Sequence, residues 1–176
     1  MSFRGTRRMP EIIFDDCVLS NFALCDSLIV VKKLYSNTSH ITDFVAAENV
    51  KGIQKGHIGL SDIKEAVREG WLRETSLKDI KEKALFESLS VSLGFGEASS
   101  IAAAKVRGFV FACDDKVARR EASLLGVRLT GTVGILIKAV RKRTIALNEA
   151  EILLNCMIEH GFYSPVTSIG DEQSSD

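Results

Sequence analysis

The chain has 176 residues, the length of one ordinary domain, and 45% of them are hydrophobic, which is enough for a substantial core. Its 23 basic and 23 acidic residues cancel to a formal net charge of zero, which argues against a broad surface for binding polyanions. No apolar run approaches the roughly 20 residues that span a bilayer, so we expect a cytoplasmic protein with no membrane partner.

The order of apolar and polar segments predicts one domain over residues 11–163. A lead-in over 1–10 precedes it, and a polar, disordered tail over 164–176 follows it. Short apolar runs predict the five strands, which cover residues 11–14, 40–41, 71–74, 109–113 and 127–129.

Hydrophobic residues at helical spacing predict helices between these strands. Among them are helices over residues 43–55, 61–68, 76–91, 135–141 and 148–160. The segment 28–34 is ambiguous, because β-branched residues favour a strand, and we favour a helix there. Strands that alternate with helices imply an α/β fold, in which a parallel sheet is covered on both faces. Sites in such folds form at the carboxyl ends of the strands.

Acidic residues follow both of the most apolar strands. Asp15 ends the first strand, and the pair Asp114 and Asp115 ends the strand over 109–113. Glu97, in a predicted first helical turn, and Glu48, inside a predicted helix, are further candidates for the same site. Each has a structural explanation when it is taken singly, since Asp often caps a helix and Glu is favoured in a first turn or on a solvated face.

Carboxylates gathered at one edge of a sheet need a cation. Two carboxylates about 4 Å apart repel each other by roughly 4 kcal/mol at an effective dielectric constant near 20. Mg²⁺ or Mn²⁺ takes oxygen ligands and relieves this repulsion. Such ions activate a water molecule and stabilise the leaving oxygen of a phosphodiester. The acids together therefore predict metal-dependent chemistry on phosphodiesters.

Three polar residues near these acids are candidates for substrate binding. Arg119 lies one turn beyond the pair of acids and can reach a phosphate, although a solvated helix face explains it slightly better. Thr130 flanks a glycine at a strand end, where it can bind a phosphate or cap a helix. Asn21 is a candidate through the family resemblance described below.

The chain's four cysteines form no C-x-x-C pair, and no histidine lies at a matching spacing. This pattern does not indicate a structural zinc site, so we expect buried, reduced thiols. The cysteines are Cys17, Cys25, Cys113 and Cys156.

Four segments of the chain resemble the PIN-domain family. An apolar strand that ends in aspartate and is followed by small and apolar residues resembles the family's opening strand. A glutamate that follows a glycine and precedes an alanine-rich helix resembles the segment of its third acid. Two later segments resemble its fourth acid and the turn after it. These segments cover residues 12–21, 94–98, 111–119 and 129–136, and their order and spacing match over 11–163.

This resemblance implies a three-layer α/β/α fold with a central parallel sheet of four to five short strands. It also implies a VapC-type toxin ribonuclease that binds Mg²⁺ or Mn²⁺, RNA and a cognate antitoxin, and that forms a homodimer. By resemblance Asp15, Glu48, Glu97 and either Asp114 or Asp115 are catalytic acids that bind the metal directly or through water, and which member of the Asp114–Asp115 pair matches stays open. The resemblance also implies that Asn21 supports the site.

The sequence departs from the family pattern directly after the first aspartate. Asp16 and Cys17 stand where hydroxyl or small residues are usual, which leaves the number of metal ions open. A response-regulator receiver domain needs an aspartate at the end of a third strand, and a haloacid-dehalogenase phosphatase needs D-x-D-x-T; the chain has neither pattern. The remaining alternative is a catalytically degenerate PIN domain that binds RNA or a protein partner without cleavage.

Overall fold

A computed structural model describes residues 9–173, so most of the expected lead-in and residues 174–176 of the tail lie outside the described residues. The strands are β1 (Ile12–Phe14), β2 (Ser39–Thr42), β3 (Leu72–Thr75), β4 (Val110–Ala112) and β5 (Leu129–Thr130). The helices are α1 (Asp16–Leu24), α2 (Leu28–Tyr35), α3 (Asp43–Gln54), α4 (Ser61–Arg68), α5 (Ile80–Leu89), α6 (Phe95–Arg107), α7 (Lys116–Leu124), α8 (Thr132–Arg141), α9 (Leu147–Glu159) and α10 (Ile169–Gln173), with a 3₁₀ turn at Ile58–Leu60. Over this described range, no helix combines the length and the apolar character needed to cross a bilayer.

The five strands form one parallel sheet in the order β3-β2-β1-β4-β5. The chain builds the sheet outward from β1 in one direction and then returns to add β4 on the other side of β1. Phe14 pairs with Ala112, so the carboxyl ends of β1 and β4 lie side by side. Open α/β sheets bind ligands at such a reversal of strand order. The acids that follow β1 and β4 therefore share one edge of the sheet.

Both faces of the sheet are covered by helices. Ile12 and Phe14 pack into one core with residues of α1, α2, α8 and α9, whereas Ile13 packs into a second core with residues of α6 and α7. Successive residues of a strand point to opposite faces, so a run that is apolar at every position fits a strand buried on both sides. This arrangement confirms the predicted α/β architecture with a parallel sheet of five short strands.

The ambiguous segment 28–34 is helical, as favoured. In α2, Val31 and Tyr35 face the core, while Ile29 is exposed on the opposite side. One apolar face is enough to dock a helix, so tertiary packing overrides the β-branched preference of these residues.

The helix expected to begin at Ser76 begins later, so that boundary was wrong. Asp79 caps α5, accepting from the backbone N–H of Lys81, and Glu82 completes a capping box. Arg107 donates to the carbonyl oxygen of Ser76 at 2.8 Å, which holds the segment before the cap outside the helix. A good cap three residues downstream therefore determined where α5 starts.

The C-terminal segment is ordered over the part that the structure describes, in contrast to the disordered tail expected after residue 163. Ile169 is fully buried, and the carboxylate of Glu151 on α9 accepts from the backbone N–H groups of Ile169 and Gly170. These bonds satisfy the first N–H groups of α10 and attach the segment to α9.

Two of the four cysteines are bonded to each other. Cys25, which follows α1, and Cys156 of α9 form a disulfide across a sequence separation of 131 residues. The expectation of reduced thiols is wrong for this pair, because a contact between such distant residues leaves no local pattern in the sequence. Cys17 and Cys113 are free.

Candidate active site

Asp15 occupies the centre of the acidic edge, between β1 and α1. Its side chain is 5% exposed and makes no capping bond to α1, so the helix-cap explanation does not apply to it. Its backbone N–H donates to the carbonyl oxygen of Ala112, which attaches it to the end of β4. Burial raises the pKa of Asp15 to about 7; the Cys17 thiol opposes this, and the negative charges of Glu97, Glu48 and Asp16 add to it.

Asp16 is a second acid at the same strand end. Its Oδ2 accepts from the hydroxyl of Ser20 at 3.3 Å, while its buried Oδ1 has no hydrogen-bond partner among the described residues. Burial, followed by the charge of Glu48, raises the pKa of Asp16 to about 6. A buried carboxylate oxygen without a donor is unfavourable, and a cation would satisfy it. In the sequence, Asp16 is a departure from the family pattern that leaves the number of metal ions open, and the structure places it among the acids.

Glu48 reaches this edge from α3. Its Oε1 accepts from the backbone N–H of Gly96 at 3.2 Å, and α3 packs against α6. Helical spacing alone did not show where this side chain points, because the neighbouring helix determines it.

Glu97 has both roles that the sequence allowed. Its Oε2 accepts from the backbone N–H of Gly94 at 3.2 Å in a capping box, which is the structural role. Burial raises the pKa of Glu97, the Gly94 bond opposes this, and the charges of Asp115 and Glu48 add to it. The carboxylate therefore starts α6 and also belongs to the group of mutually repelling acids.

The two acids after β4 have different environments. Asp115 caps α7, since its Oδ1 accepts from the backbone N–H groups of Val117 at 2.9 Å and Ala118 at 2.8 Å. It also lies close enough to Glu97 to raise the pKa of that group. The cap and the electrostatic coupling to Glu97 coexist in one carboxylate.

Asp114 is held by hydrogen bonds from two other elements. Its Oδ1 accepts from the backbone N–H of Thr132 at 2.9 Å, and its Oδ2 accepts from the Thr132 hydroxyl at 2.6 Å and from Asn21 Nδ2 at 3.2 Å. Asn21 Nδ2 also donates to the Thr132 hydroxyl at 3.0 Å. Asn21 therefore orients Asp114 and Thr132 from α1.

Arg119 and Thr130, predicted to bind substrate, have clear structural contacts. Arg119 Nη1 donates to the carbonyl oxygens of Cys113 at 2.7 Å and Thr130 at 2.8 Å, which ties together the ends of β4 and β5. Both residues also line a pocket of about 520 Å³ beside Asp114 that includes Lys116 and Tyr163. Arg119 and Thr130 therefore lie at the site, and the Nη1 of Arg119 is already bonded to two carbonyl oxygens.

A second pocket, of about 430 Å³, opens on the α3 side of the acids. Asp16 and Glu48 line it, together with the exposed cationic residues Lys51 and Lys55. The acidic edge is therefore flanked by lysines in both pockets, although the net charge of the chain is zero.

The donors at this edge fit a hard cation. They are carboxylate oxygens, and one of them, Asp16 Oδ1, is buried without a hydrogen-bond partner among the described residues. Within residues 9–173, two groups of three side chains have all their ligand atoms within 4.8 Å of one another, and both contain cysteine. The carboxylates by themselves are therefore too far apart to form a closed cage around one ion. A cation at this edge would contact some acids directly and others through water, as Mg²⁺ commonly does.

Residues 11–171 match the family model described as a PIN domain, a match that extends past the expected domain end at residue 163. The fold is similar to the crystal structure of PAE2754 from Pyrobaculum aerophilum, with a TM-score of 0.51 and 15% sequence identity. That similarity covers 75% of this chain and 98% of the other chain, and at this identity it concerns the fold alone. No curated protein matches the chain.

Proposed function

The chain belongs to the PIN-domain family, whose members are generally nucleases, and we propose that it is a metal-dependent endoribonuclease that hydrolyses RNA phosphodiester bonds. This proposal rests on the buried Asp15 carboxylate, whose charge is repelled by those of Glu97, Glu48 and Asp16. One oxygen of Asp16 also has no hydrogen-bond partner among the described residues. Burial and mutual repulsion make such a group of carboxylates unfavourable, and a bound cation would offset that cost.

The acids would have distinct roles in this reaction. Asp15, Asp16 and Glu97 would hold Mg²⁺ or Mn²⁺ with one of the acids after β4, and we favour Asp115 because it is coupled to Glu97. Once bound, the cation would activate a water molecule and neutralise the leaving oxygen. Glu48, which accepts a hydrogen bond from the Gly96 N–H, would orient a water molecule at the cation from α3.

The two pockets beside the acids support RNA as the substrate. Lys51 and Lys55 on one side and Lys116 on the other can bind successive phosphates without a broad basic surface. Tyr163 is 84% exposed, and the Lys116 ammonium lies 5.5 Å from its ring centroid. An exposed aromatic ring beside a cation is a platform on which an unpaired base stacks.

The direct test is cleavage of labelled single-stranded and structured RNAs by the purified protein with Mg²⁺, with Mn²⁺ and with EDTA. We expect metal-dependent products with 5′-phosphate and 3′-hydroxyl ends. Binding of RNA without cleavage in either metal would contradict the nuclease and would favour the degenerate PIN domain.

Asp115→Asn separates a cap from a metal ligand. Asparagine caps helices as well as aspartate does, so we expect the free energy of unfolding to change by less than about 0.5 kcal/mol. Cleavage should fall at least about tenfold, because the charge beside Glu97 is lost. Denaturant unfolding and cleavage rates measure the two effects, and unchanged cleavage would leave Asp115 with the cap alone.

Gly96→Ala tests the placement of Glu48. A Cβ at this position would lie 2.8 Å from Glu48 Cδ, so the carboxylate has to move. We expect about ten- to a hundredfold slower cleavage, with little loss of stability, because the displaced group is the end of a flexible side chain. Gly59→Ala is the matched control, since its Cβ would meet Leu24 Cδ2 at an ordinary 3.5 Å. Equal rates for the two variants would remove Glu48 from the proposed machinery.

We also propose that the ribonuclease is the toxin of a toxin–antitoxin pair that acts in the cytoplasm as a homodimer and is neutralised by a cognate antitoxin. The support is the resemblance of residues 12–21 to the opening strand of PIN domains and of residues 94–98 to the third-acid motif of prokaryotic PIN proteins, many of which are toxins of such pairs. Induced expression should arrest growth, and the Asp15→Asn chain should not. Light scattering of the purified protein tests the dimer, and normal growth despite active enzyme would contradict the toxin role.

A further inference from the structure

We propose that Cys17, Cys113 and Asp15 form a second metal site, which takes a thiophilic cation such as Zn²⁺ or Cd²⁺. Their ligand atoms all lie within 4.8 Å of one another. The two sulfur atoms approach the same oxygen, since Cys17 Sγ lies 2.8 Å and Cys113 Sγ 3.8 Å from Asp15 Oδ2.

This spacing suits a tetrahedral cation. With Zn–S bonds of about 2.3 Å and Zn–O bonds of about 2.0–2.2 Å, neighbouring ligand atoms lie roughly 3.5 Å apart. Small shifts of the two sulfur atoms would bring the three ligands to this spacing, and a water molecule would complete the fourth position. Sulfur donors favour Zn²⁺ or Cd²⁺ over Mg²⁺ or Mn²⁺, so this site and the all-oxygen edge differ in the metal they select.

The pairing of β1 with β4 creates the site. Phe14 pairs with Ala112, so the residues that follow both strands come together at the sheet edge. Cys113 and Asp15 are buried, whereas Cys17 is partly exposed and provides the side from which a cation enters. Because Cys17 lies in α1 just after β1 and Cys113 follows β4, cysteine spacing along the sequence did not reveal the site.

Binding here would inhibit the enzyme, a consequence that rests on the proposed nuclease function. Asp15 Oδ2 already faces both sulfur atoms, and a thiophilic cation held there would take that carboxylate away from the acidic edge. Mg²⁺ or Mn²⁺ would then lose its central ligand. Zinc would therefore inhibit cleavage. A chelator that binds zinc more tightly than magnesium would reverse the inhibition.

The binding experiment uses the full chain with the Cys25–Cys156 disulfide intact, so that Cys17 and Cys113 are the free thiols among its four cysteines. Cd²⁺ is added and thiolate-to-cadmium charge transfer is followed in the ultraviolet. We expect one equivalent of Cd²⁺ to bind. Loss of a residue that only supports a ligand weakens metal binding by roughly 10- to 100-fold, so Cys17→Ser, which removes a ligand, should weaken it by more. Cys113→Ser should do the same.

The control concerns the other group that could hold a metal. Cys25, Cys156 and His160 also have ligand atoms within 4.8 Å of one another, so His160→Ala should leave the cadmium signal unchanged. A signal that survives in Cys17→Ser, or that disappears in His160→Ala, overturns the proposal. If a serine variant fails to fold by circular dichroism, alkylation of the wild-type chain decides: Cd²⁺ should slow modification of Cys17, and an unchanged rate overturns the site.

An activity experiment separates this inference from the nuclease proposal. Zinc is titrated into cleavage reactions that contain excess Mg²⁺, and each protein is compared with its own zinc-free rate. We expect Cys17→Ser to need at least about tenfold more zinc for half inhibition. Equal zinc sensitivity would place zinc at the acids and overturn the cysteine site. Cysteine-dependent cadmium binding in a protein that cleaves no RNA would support the site and contradict the nuclease.

Discussion

Asp15→Asn is expected to lower RNA cleavage by at least two to three orders of magnitude, roughly the loss that follows removal of one preorganised electrostatic group from an active site. Asparagine keeps the size of the side chain but removes the charge that the cation needs. Among the residues that the structure describes, Asp15 has no capping bond and no ion pair, so little of the fold depends on that charge. Single-turnover cleavage in Mn²⁺ and denaturant unfolding measure the two effects.

The matched control for Asp15→Asn is Asp62→Asn, an exposed acid in the first turn of α4. It changes the net charge of the chain by the same amount and lies outside the acidic edge. We expect cleavage by this variant to stay within about twofold of wild type, since exposed substitutions of this kind are usually near neutral. Cleavage by Asp15→Asn at the control's rate would show that the buried acid is not part of the catalytic centre.

Without divalent metal, the protein is expected to lose stability as the pH rises from about 4 to above 7. The folded state raises the pKa of Asp15 from 3.8 to about 7, so in this interval the folded chain binds a proton that the unfolded chain releases. The stabilisation is complete below pH 3.8 and is lost as the pH passes 7. A pKa change of this size corresponds to about 4 kcal/mol. Asp16, with a pKa of about 6, changes stability in the same direction.

Other acids do not cancel this trend. Glu82, despite its burial, has a lowered pKa because Arg107 and backbone N–H groups bind its carboxylate, and hydrogen bonds to Gly170, Ser168 and Ile169 lower the pKa of Glu151. A lowered pKa gives stability that is lost as the pH falls through the folded-state value, which lies below 4.5 for both groups. Their contribution is complete above about pH 4.5, so it stays constant over most of the pH range in which Asp15 acts.

Divalent metal should offset a large part of this loss of stability. Mg²⁺ or Mn²⁺ binds the ionised acids of the folded state, and a ligand at a hundred times its Kd adds about 2.7 kcal/mol. We expect denaturant unfolding at pH 8 to show a large increase in stability with metal, and unfolding at pH 5 to show a small one. Asp15→Asn should flatten the metal-free pH dependence. A variant that retains the full pH dependence would assign it to other groups.

The sequence by itself determined the α/β fold, the family and the positions of the acids that follow the buried strands. Ile12–Phe14 and residues 109–113 are continuously apolar, and each run ends at aspartate. A run that is buried on both faces must be apolar at every position, so it is visible locally, and so is the charge that ends it. The family match over residues 11–171 confirmed the PIN resemblance, while the toxin role stays a prediction.

The tertiary structure alone decided how neighbouring acids divide their roles. Asp114 and Asp115 are adjacent and chemically identical, and they differ because Thr132 and Asn21 hold one while the other caps α7. Glu48 points to the site because α3 packs on α6. The contacts that hold Asp114 and Glu48 join residues distant in sequence, and no local pattern records such a contact.

The cysteines show the same limit most clearly. Their spacing in the sequence indicated neither a disulfide nor a metal site, yet folding joins Cys25 to Cys156 across 131 residues and brings Cys17 and Cys113 to one oxygen of Asp15. A cross-link or a ligand group depends on distances in space. The pairing of β1 with β4 sets those distances at the acidic edge, and only the folded chain contains that pairing.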